Sequence, residues 1–373
     1  MGIHFSAPQV EFEIIKEKWL QAVQDLAKRG VFVGSPAVNR FEDLFAKYTG
    51  VAHTVGVANG TDAIFLALKA LGIGPGDEVI TAANTFIATV EAIHHTGATP
   101  VLVDCDPTTF LLNEEQVKQS VNPNTKAIIA VHLYGQMVDL EHLAAWAGEK
   151  GIHVIEDSAQ AAGAILRGRR AGSVGIMGCF SFYPEKNLGA LGDAGGITVR
   201  SDEYATILRK LRNHGGEIRY QHDIPGFNSR LDPIQAIALE LKLAYLDEWS
   251  AYRREIARMY DSELSQFGSI HIPSNRGDES HVYHLYVIRV TEEFRDELRK
   301  ELQKKGILTA VQYPVPVHLT PAFSYLGYEV GSFPTAEQYA KEILSLPIHI
   351  AMNEESVSAV IHTIRNYMGA RQI

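Results

Sequence analysis

The sequence predicts an α/β protein, with a large, mostly parallel sheet covered by helices and a smaller α+β region after it. Three observations carry this. Short Val- and Ile-rich runs recur between residues 54 and 199, and most lack the polar alternation of a half-exposed strand, so both faces of their sheet must be covered. Stretches with helical spacing separate these runs, as crossovers between parallel strands require. The last third of the chain then changes to a mixture of strand signals and helices. A chain of 373 residues exceeds what one compact core ordinarily holds. The expected division is 1–248 for an N-terminal arm with the large α/β domain and 249–373 for the small α+β domain.

A first helix is expected over residues 12–28, where Ile14, Ile15, Trp19, Leu20, Val23 and Leu26 recur at helical spacing. An apolar loop at 31–36 separates it from a second helix over 37–48. Strands are expected at 54–57, 78–82, 100–104, 127–132, 153–156, 179–182 and 196–199. Helices over 61–71, 86–95 and 140–150 fall between them. One long helical pattern, 232–258, leads out of this region. The remainder reads as a strand at 281–290 and helices over 292–305, 335–345 and 354–368. Pro314, Pro316 and Pro321 mark an extended loop between them.

Composition narrows the function classes. Hydrophobic residues make up 46% and charged residues 21%, as in an ordinary globular enzyme. A net charge of −10 argues against a general nucleic-acid binder. An anionic substrate would need a few local arginines and lysines. The two cysteines, Cys105 and Cys179, lie in apolar stretches and read as buried free thiols, which fits a reducing cytoplasm. Met1 to Phe5 lacks a signal-peptide layout, and no apolar run is long enough to span a bilayer. The expected location is cytoplasmic, without membrane attachment.

Chemistry concentrates around Lys186, which follows the aromatic strand segment Cys179-Phe180-Ser181-Phe182 and precedes a glycine-rich turn. Desolvation there would depress its pKa and leave a nucleophilic amine; otherwise it is a solvated loop lysine. Asp157 ends the apolar run Val154-Ile155-Glu156, where ligands bind in open α/β sheets. Glu156 competes with it as the acid, but strand alternation allows only one of the two to face a ligand. A lysine and a strand-end aspartate are what a pyridine-aldehyde cofactor needs, for its Schiff base and its ring nitrogen. Gln160 could donate to a phenolic oxygen. Asn59-Gly60-Thr61-Asp62 opens a helix and reads as a phosphate cradle with Ser181, or as a plain cap.

Other chemistries are disfavoured. Residues 189–196 precede a strand, not a helix, so they fail as a dinucleotide loop and read as a turn that positions Lys186. The fifteen histidines include no H-E-x-x-H, there is no cysteine pair at ligand spacing, and His281 and His284 face opposite ways in a strand; no metal is expected. His94, His95, His132 and His153 read as structural. Ser181 lacks the context of a nucleophile elbow.

Four motifs in order, Gly60 to Asp62, Glu156 to Gln160, Ser181 to Asn187 and Asn228-Ser229-Arg230-Leu231-Asp232, resemble those of the DegT/DnrJ/EryC1/StrS sugar aminotransferases. The resemblance spans about residues 12–368 and implies the aspartate aminotransferase-like fold, fold type I of the pyridoxal-phosphate enzymes. It implies that Lys186 binds pyridoxal 5'-phosphate covalently, Asp157 pairs with the ring nitrogen, Gln160 reaches the ring oxygen and Phe86 stacks on the ring. Gly60, Thr61 and Ser181 would bind the phosphate, and Asn228 would reach it from the neighbouring subunit of a homodimer. Arg230 is a candidate for a carboxylate of donor or substrate, or a structural interface residue. Tyr183, Tyr220 and His318 are further substrate-binding candidates.

The implied reaction is ping-pong transfer of an amino group, usually from glutamate, through the pyridoxamine form of the cofactor to a nucleotide-linked keto sugar. Residues 186–193 with Asn213, His214, Gly215, Tyr220 and His222 resemble enzymes acting on 3-keto-6-deoxyhexoses. C4-specific and cyclitol aminotransferases share most of these motifs. Ala194, His214 and Gln312 depart from the family's usual glycine, tyrosine and histidine and bear on the substrate. A cofactor-binding regulatory protein is the non-enzyme alternative, and no DNA-binding module accompanies the motifs. Relatives that replace the lysine with histidine are dehydratases; Lys186 is present.

Overall fold

A computed structural model describes residues 2–275 and 278–371. The chain opens with α1 (Pro8–Arg29) and α2 (Pro36–Thr49), the latter capped by Ser35, whose hydroxyl accepts the Ala37 amide. The expected alternation follows: β1 (His53–Val57), α3 (Gly60–Ala70), β2 (Glu78–Ala82), α4 (Ile87–Thr96), β3 (Thr99–Val103), α5 (Glu114–Ser120), β4 (Thr125–Val131), α6 (Glu141–Glu149) and β5 (His153–Asp157). A two-stranded sheet of β6 (Ile165–Leu166) and β7 (Arg169–Arg170) precedes β8 (Met177–Ser181), β9 (Gly195–Val199) and α7 (Asp202–Arg212). Seven of these strands form one sheet in the order β1-β9-β8-β5-β4-β2-β3. It is parallel from β8 through β3, whereas β9 runs against both β1 and β8, so β1 points the same way as β8.

Two-sided burial accounts for the missing polar alternation. Along β4, Ala127 and Ile129 join a core with Ile64, Ile155 and Ile197, while Ile128 and Ala130 join the core on the opposite face with Ile80, Leu102 and Leu143. A cluster of phenylalanines anchors the strand that delivers Ser181 and Lys186. The Phe45 ring centroid lies 4.9 Å from that of Phe180 and 5.3 Å from that of Phe182, both edge-on, and all three rings are buried. Such pairs contribute about 0.5–1.5 kcal/mol each beyond area burial.

The rest of the chain comprises α8 (Pro233–Leu243), α9 (Leu246–Leu264), β10 (Ile270–His271), β11 (Tyr286–Val290), α10 (Glu292–Lys304), α11 (Pro334–Glu342), β12 (Ile343–Leu346) and α12 (Glu354–Arg371). The strands form an antiparallel sheet, β10-β11-β12, over a separate core that includes Ile256, Tyr260, Ile288, Leu302, Val360 and Met368.

Three expectations need correction. The helical pattern 232–258 breaks at Ala244 and Tyr245; both keep right-handed angles, so neither glycine nor proline marks the break. The helix expected at 335–345 stops at Glu342, because Ile343 turns extended and is captured as a strand partner of Arg289. The strand expected at 281–290 is regular only from Tyr286. Cys105 and Cys179 are buried free thiols. Among the described residues no helix is long and apolar enough to cross a membrane.

Candidate active site

The sheet register brings three strand ends to one edge. Val57 of β1 pairs with Gly195, Gly195 pairs with Ser181 of β8, and Asp157 of β5 pairs with Cys179. This is the carboxyl edge of the parallel strands, where α/β sheets place ligands. A cavity of about 370 Å³ opens there, and Gly60, Thr61, Phe86, Asp157, Gln160, Ser181, Tyr183 and Lys186 all line it.

One wall is a helix N-terminus with the geometry to receive an anion. The Asn59 side chain caps α3 by accepting the Asp62 amide at 2.8 Å. The first amides of a helix have no intrahelical acceptor, so those of Gly60 and Thr61 remain available, with the helix dipole behind them. A Cβ at position 60 would lie 2.6 Å from the Ser181 Cβ. Only glycine allows this approach, which sets the Ser181 and Thr61 hydroxyls beside the free amides. Behind the cradle, the Ser229 hydroxyl accepts the Ala58 amide at 3.1 Å and donates to Asp62 at 2.6 Å.

A second wall carries Asp157. Thr89 donates to its Oδ2 at 2.8 Å and the Ala159 amide to its Oδ1 at 3.1 Å. Burial pushes its pKa up, against the pull of Thr89, Ala159 and the Lys186 charge. A buried carboxylate with so little cationic compensation suits a positively charged ring nitrogen. Glu156 points the other way, as alternation requires. It accepts the amides of Gly172, Val174 and Gly175 and lies 2.8 Å from His132 Nε2. His132 Nδ1 accepts the Val138 amide, so Nε2 carries the proton toward Glu156. This cluster is structural.

Lys186 sits in a closed turn. Its amide donates to Tyr183 O, the Ala190 amide donates to Phe182 O, and a Cβ at Gly189 would meet Pro184 O at 2.2 Å. The turn is therefore tightly packed. Burial pulls the Lys186 pKa down to about 8, opposed by the charges of Asp157 and Glu185. Lysine and aspartate thus face one cavity and feel each other's charge.

Phe86 caps α4 at the cavity with half its surface exposed, and its ring centroid lies 5.3 Å from that of Tyr313. Gln160 accepts the Tyr134 amide and donates to the Tyr313 hydroxyl at 3.0 Å. The sequence reading missed Tyr313, Thr89, His284 and Arg253, all of which line the cavity. They come from a proline-rich loop, the first turn of α4, the interior of α9 and an irregular segment, and no motif marks them. Glu185 also lines the mouth and accepts the Ser6 hydroxyl at 2.7 Å.

The cavity does not include four of the expected residues. Asn228 pairs with Asn213 through a β-bridge, Arg230 donates to Asn213 Oδ1 at 3.1 Å, and Tyr220 is 79% exposed. His318 is buried 3.0 Å from Glu337 and packs edge-on to Phe333, so its ring serves the loop's packing and does not face the cavity. His281 is buried against Tyr283, and burial pushes its pKa down to about 3. The segment holding His281 and His284 is not regular strand, and only His284 reaches the cavity.

The chain is similar to known proteins over nearly its whole length. The chain is 44% identical over 359 residues to a "pleiotropic regulatory protein" of Geobacillus stearothermophilus, covering 96% of each. It is 42% identical over 374 residues to the dTDP-3-amino-3,4,6-trideoxy-alpha-D-glucose transaminase of Streptomyces venezuelae, covering 98% of each. The crystal structure of S. venezuelae DesV superposes with a TM-score of 0.95 at 41% identity, covering 98% of both chains. That of NtdA from Bacillus subtilis with the cofactor PMP bound gives 0.92 at 30% identity, covering 99% of this chain and 85% of that one. A family model matches residues 13–365. The chain belongs to the DegT/DnrJ/EryC1/StrS aminotransferase family.

Proposed function

We propose that the chain transfers an amino group from an amino acid, L-glutamate by preference, to a nucleoside-diphosphate-linked 3-keto-6-deoxyhexose. The observation that carries this reading is the meeting of an amine of depressed pKa, a buried carboxylate and a helix-end anion cradle around one cavity. The 3-amino sugar in the name of the S. venezuelae relative supports the choice of carbon.

Pyridoxal 5'-phosphate is the cofactor, and when bound it supplies an electron sink and, in its pyridoxamine form, carries the amino group between two half-reactions. In this reading Gly60, Thr61 and Ser181 would hold its phosphate, Asp157 would keep a proton on the ring nitrogen, and Phe86 would cover the ring. Gln160, whose amide nitrogen meets the Tyr313 hydroxyl, would donate to the phenolic oxygen. Lys186 would hold the cofactor's aldehyde carbon, and its amine, when free, would serve as the base that takes a proton from the donor carbon. A pKa near 8 keeps a useful fraction of that amine neutral at physiological pH.

Asn228, Arg230 and Tyr220 lie outside this chain's own cavity, which supports a homodimer in which they approach the partner's site. The name of the G. stearothermophilus relative favours a second, regulatory reading; the lysine, aspartate and cradle gathered in one cavity favour catalysis. The test is product mass after incubation with glutamate and a panel of nucleotide keto sugars. An amino sugar one nitrogen exchange from a 3-keto substrate is expected. Cofactor binding without amine transfer to any keto sugar would overturn the enzyme reading.

A further inference from the structure

Arg253, in the middle of α9, is 5% exposed and lines the cavity that Lys186 shares. Its Nη1 donates to the carbonyls of Ile348 at 2.6 Å and Tyr283 at 3.2 Å. Those bonds pin one edge of the guanidinium. Among the described residues its other nitrogens have no hydrogen-bond partner, and they are not sealed from solvent, so they remain open to the cavity.

No carboxylate of the described residues pairs with it. The anion whose charge bears on Arg253 is Glu11, and Glu11 is bonded at 3.1 Å by Lys242, itself fully buried. Two buried cations therefore share one carboxylate. The other charged groups around the cavity do not offset this. Asp157 is held by Thr89 and Ala159, Glu185 sits at the exposed mouth with Ser6, and Asp193 lies in the glycine-rich turn. His284 adds no charge, since burial, Lys186 and Arg253 all drive its imidazole to the neutral form. A buried cation without a counter-charge is costly unless an anion joins it.

That anion must come from a substrate. Lys186, His284 and Arg253 line the same cavity, and the imidazole feels the charges of both cations. An amino-acid donor carries a carboxylate one bond from the carbon that reacts there. The phosphates of a nucleotide sugar lie beyond the sugar ring. A guanidinium with one edge pinned presents a flat fork that matches a carboxylate. Resting on the aminotransferase reading above, we propose that Arg253 receives the α-carboxylate of the amino-acid donor through two parallel hydrogen bonds while Lys186 stands at the reacting carbon.

The experiment follows the donor half-reaction spectroscopically in the holoenzyme with L-glutamate, its γ-amide glutamine and its α-amide isoglutamine. Glutarate binding is measured by calorimetry alongside. In the native protein the α-amide is expected to react about 10- to 100-fold less efficiently than the γ-amide, the worth of a charge-assisted pair. In Arg253→Met that discrimination disappears, glutarate binding weakens by a similar factor, and the return of the amino group from the nucleotide amino sugar falls by a smaller factor than the reaction with glutamate. Arg253→Lys, which keeps the charge but not the fork, is expected to lose part of the discrimination and serves if the Met variant fails to fold. A purely structural role would lower both half-reactions together and leave the discrimination intact, and this would overturn the proposal. Loss of discrimination in Arg230→Lys, with Arg253→Lys unchanged, would overturn it too. If Arg253 governs the donor yet no keto sugar is aminated, the donor assignment stands and the sugar reading falls.

Discussion

Gly60→Ala tests the anion cradle by geometry alone. The added Cβ would stand 2.6 Å from the Ser181 Cβ, 3.1 Å from its Cα and 3.3 Å from its hydroxyl. Carbon atoms in ordinary contact are about 3.5–4.0 Å apart, so the first turn of α3 must retreat from β8 by about 1 Å. Ser181 cannot give way by rotation, because its Cβ is fixed by a backbone paired with Gly195. Overpacking of this kind costs about 1–3 kcal/mol. The same retreat draws the Gly60 and Thr61 amides away from the Ser181 hydroxyl, so it falls directly on phosphate binding. At about 1.4 kcal/mol per tenfold, the cofactor dissociation constant is expected to rise about 10- to 100-fold. The assay is titration of the cofactor-free protein with pyridoxal phosphate, followed by absorbance. Ser181→Gly removes the nearest atom, so the double variant should bind at least about 1 kcal/mol better than the two single effects summed. Near-native affinity in Gly60→Ala, or strict additivity in the double variant, would refute the reasoning.

Two other expectations follow from the site. Burial lowers the Lys186 pKa from 10.5 to about 8, so between these values the unfolded chain holds a proton that the folded chain has lost, and stability of the cofactor-free protein rises with pH across that window. Cofactor-free Lys186→Met should therefore be more stable than the native chain by about 1–3 kcal/mol near neutral pH, with the gap closing toward about pH 10 in denaturant titrations; a constant gap would contradict the burial argument. Mixing Lys186→Ala with Asn228→Ala protein should restore activity beyond either alone, up to about a quarter of native, because half the dimers are mixed and each holds one intact site. No recovery would place Asn228 outside the partner's site.

Much of the large sheet was legible because its strands are short apolar runs separated by periodic helices, and two-sided burial is written into composition. Strand alternation predicts that only one of Asp157 and Glu156 faces a ligand, and the structure sends the two to opposite faces. Elements whose ends depend on tertiary capture were not legible. Ile343 leaves its helix to pair with Arg289, and the break after α8 uses ordinary right-handed residues. The helix α7 carries readable signals, a Ser201 cap, an acidic first turn and a basic last turn, yet it lay outside the expectations. Residues of the first three motifs meet at one cavity, those of the fourth, Asn228 and Arg230, lie outside it, and Thr89, Arg253, His284 and Tyr313 arrive there through folding of distant segments. His318 illustrates the reverse, a polar residue near a plausible loop whose partner, Glu337, lies within its own packing unit.

Attachment of the cofactor to Lys186 is open to direct measurement. Reduction of the holoenzyme with borohydride, followed by proteolysis and mass mapping of peptides, reads this without reference to activity. A single phosphopyridoxyl adduct on the peptide containing Lys186, lost in Lys186→Ala, is the expected result. An adduct on another lysine, or none where native absorbance shows bound cofactor, would contradict the central claim.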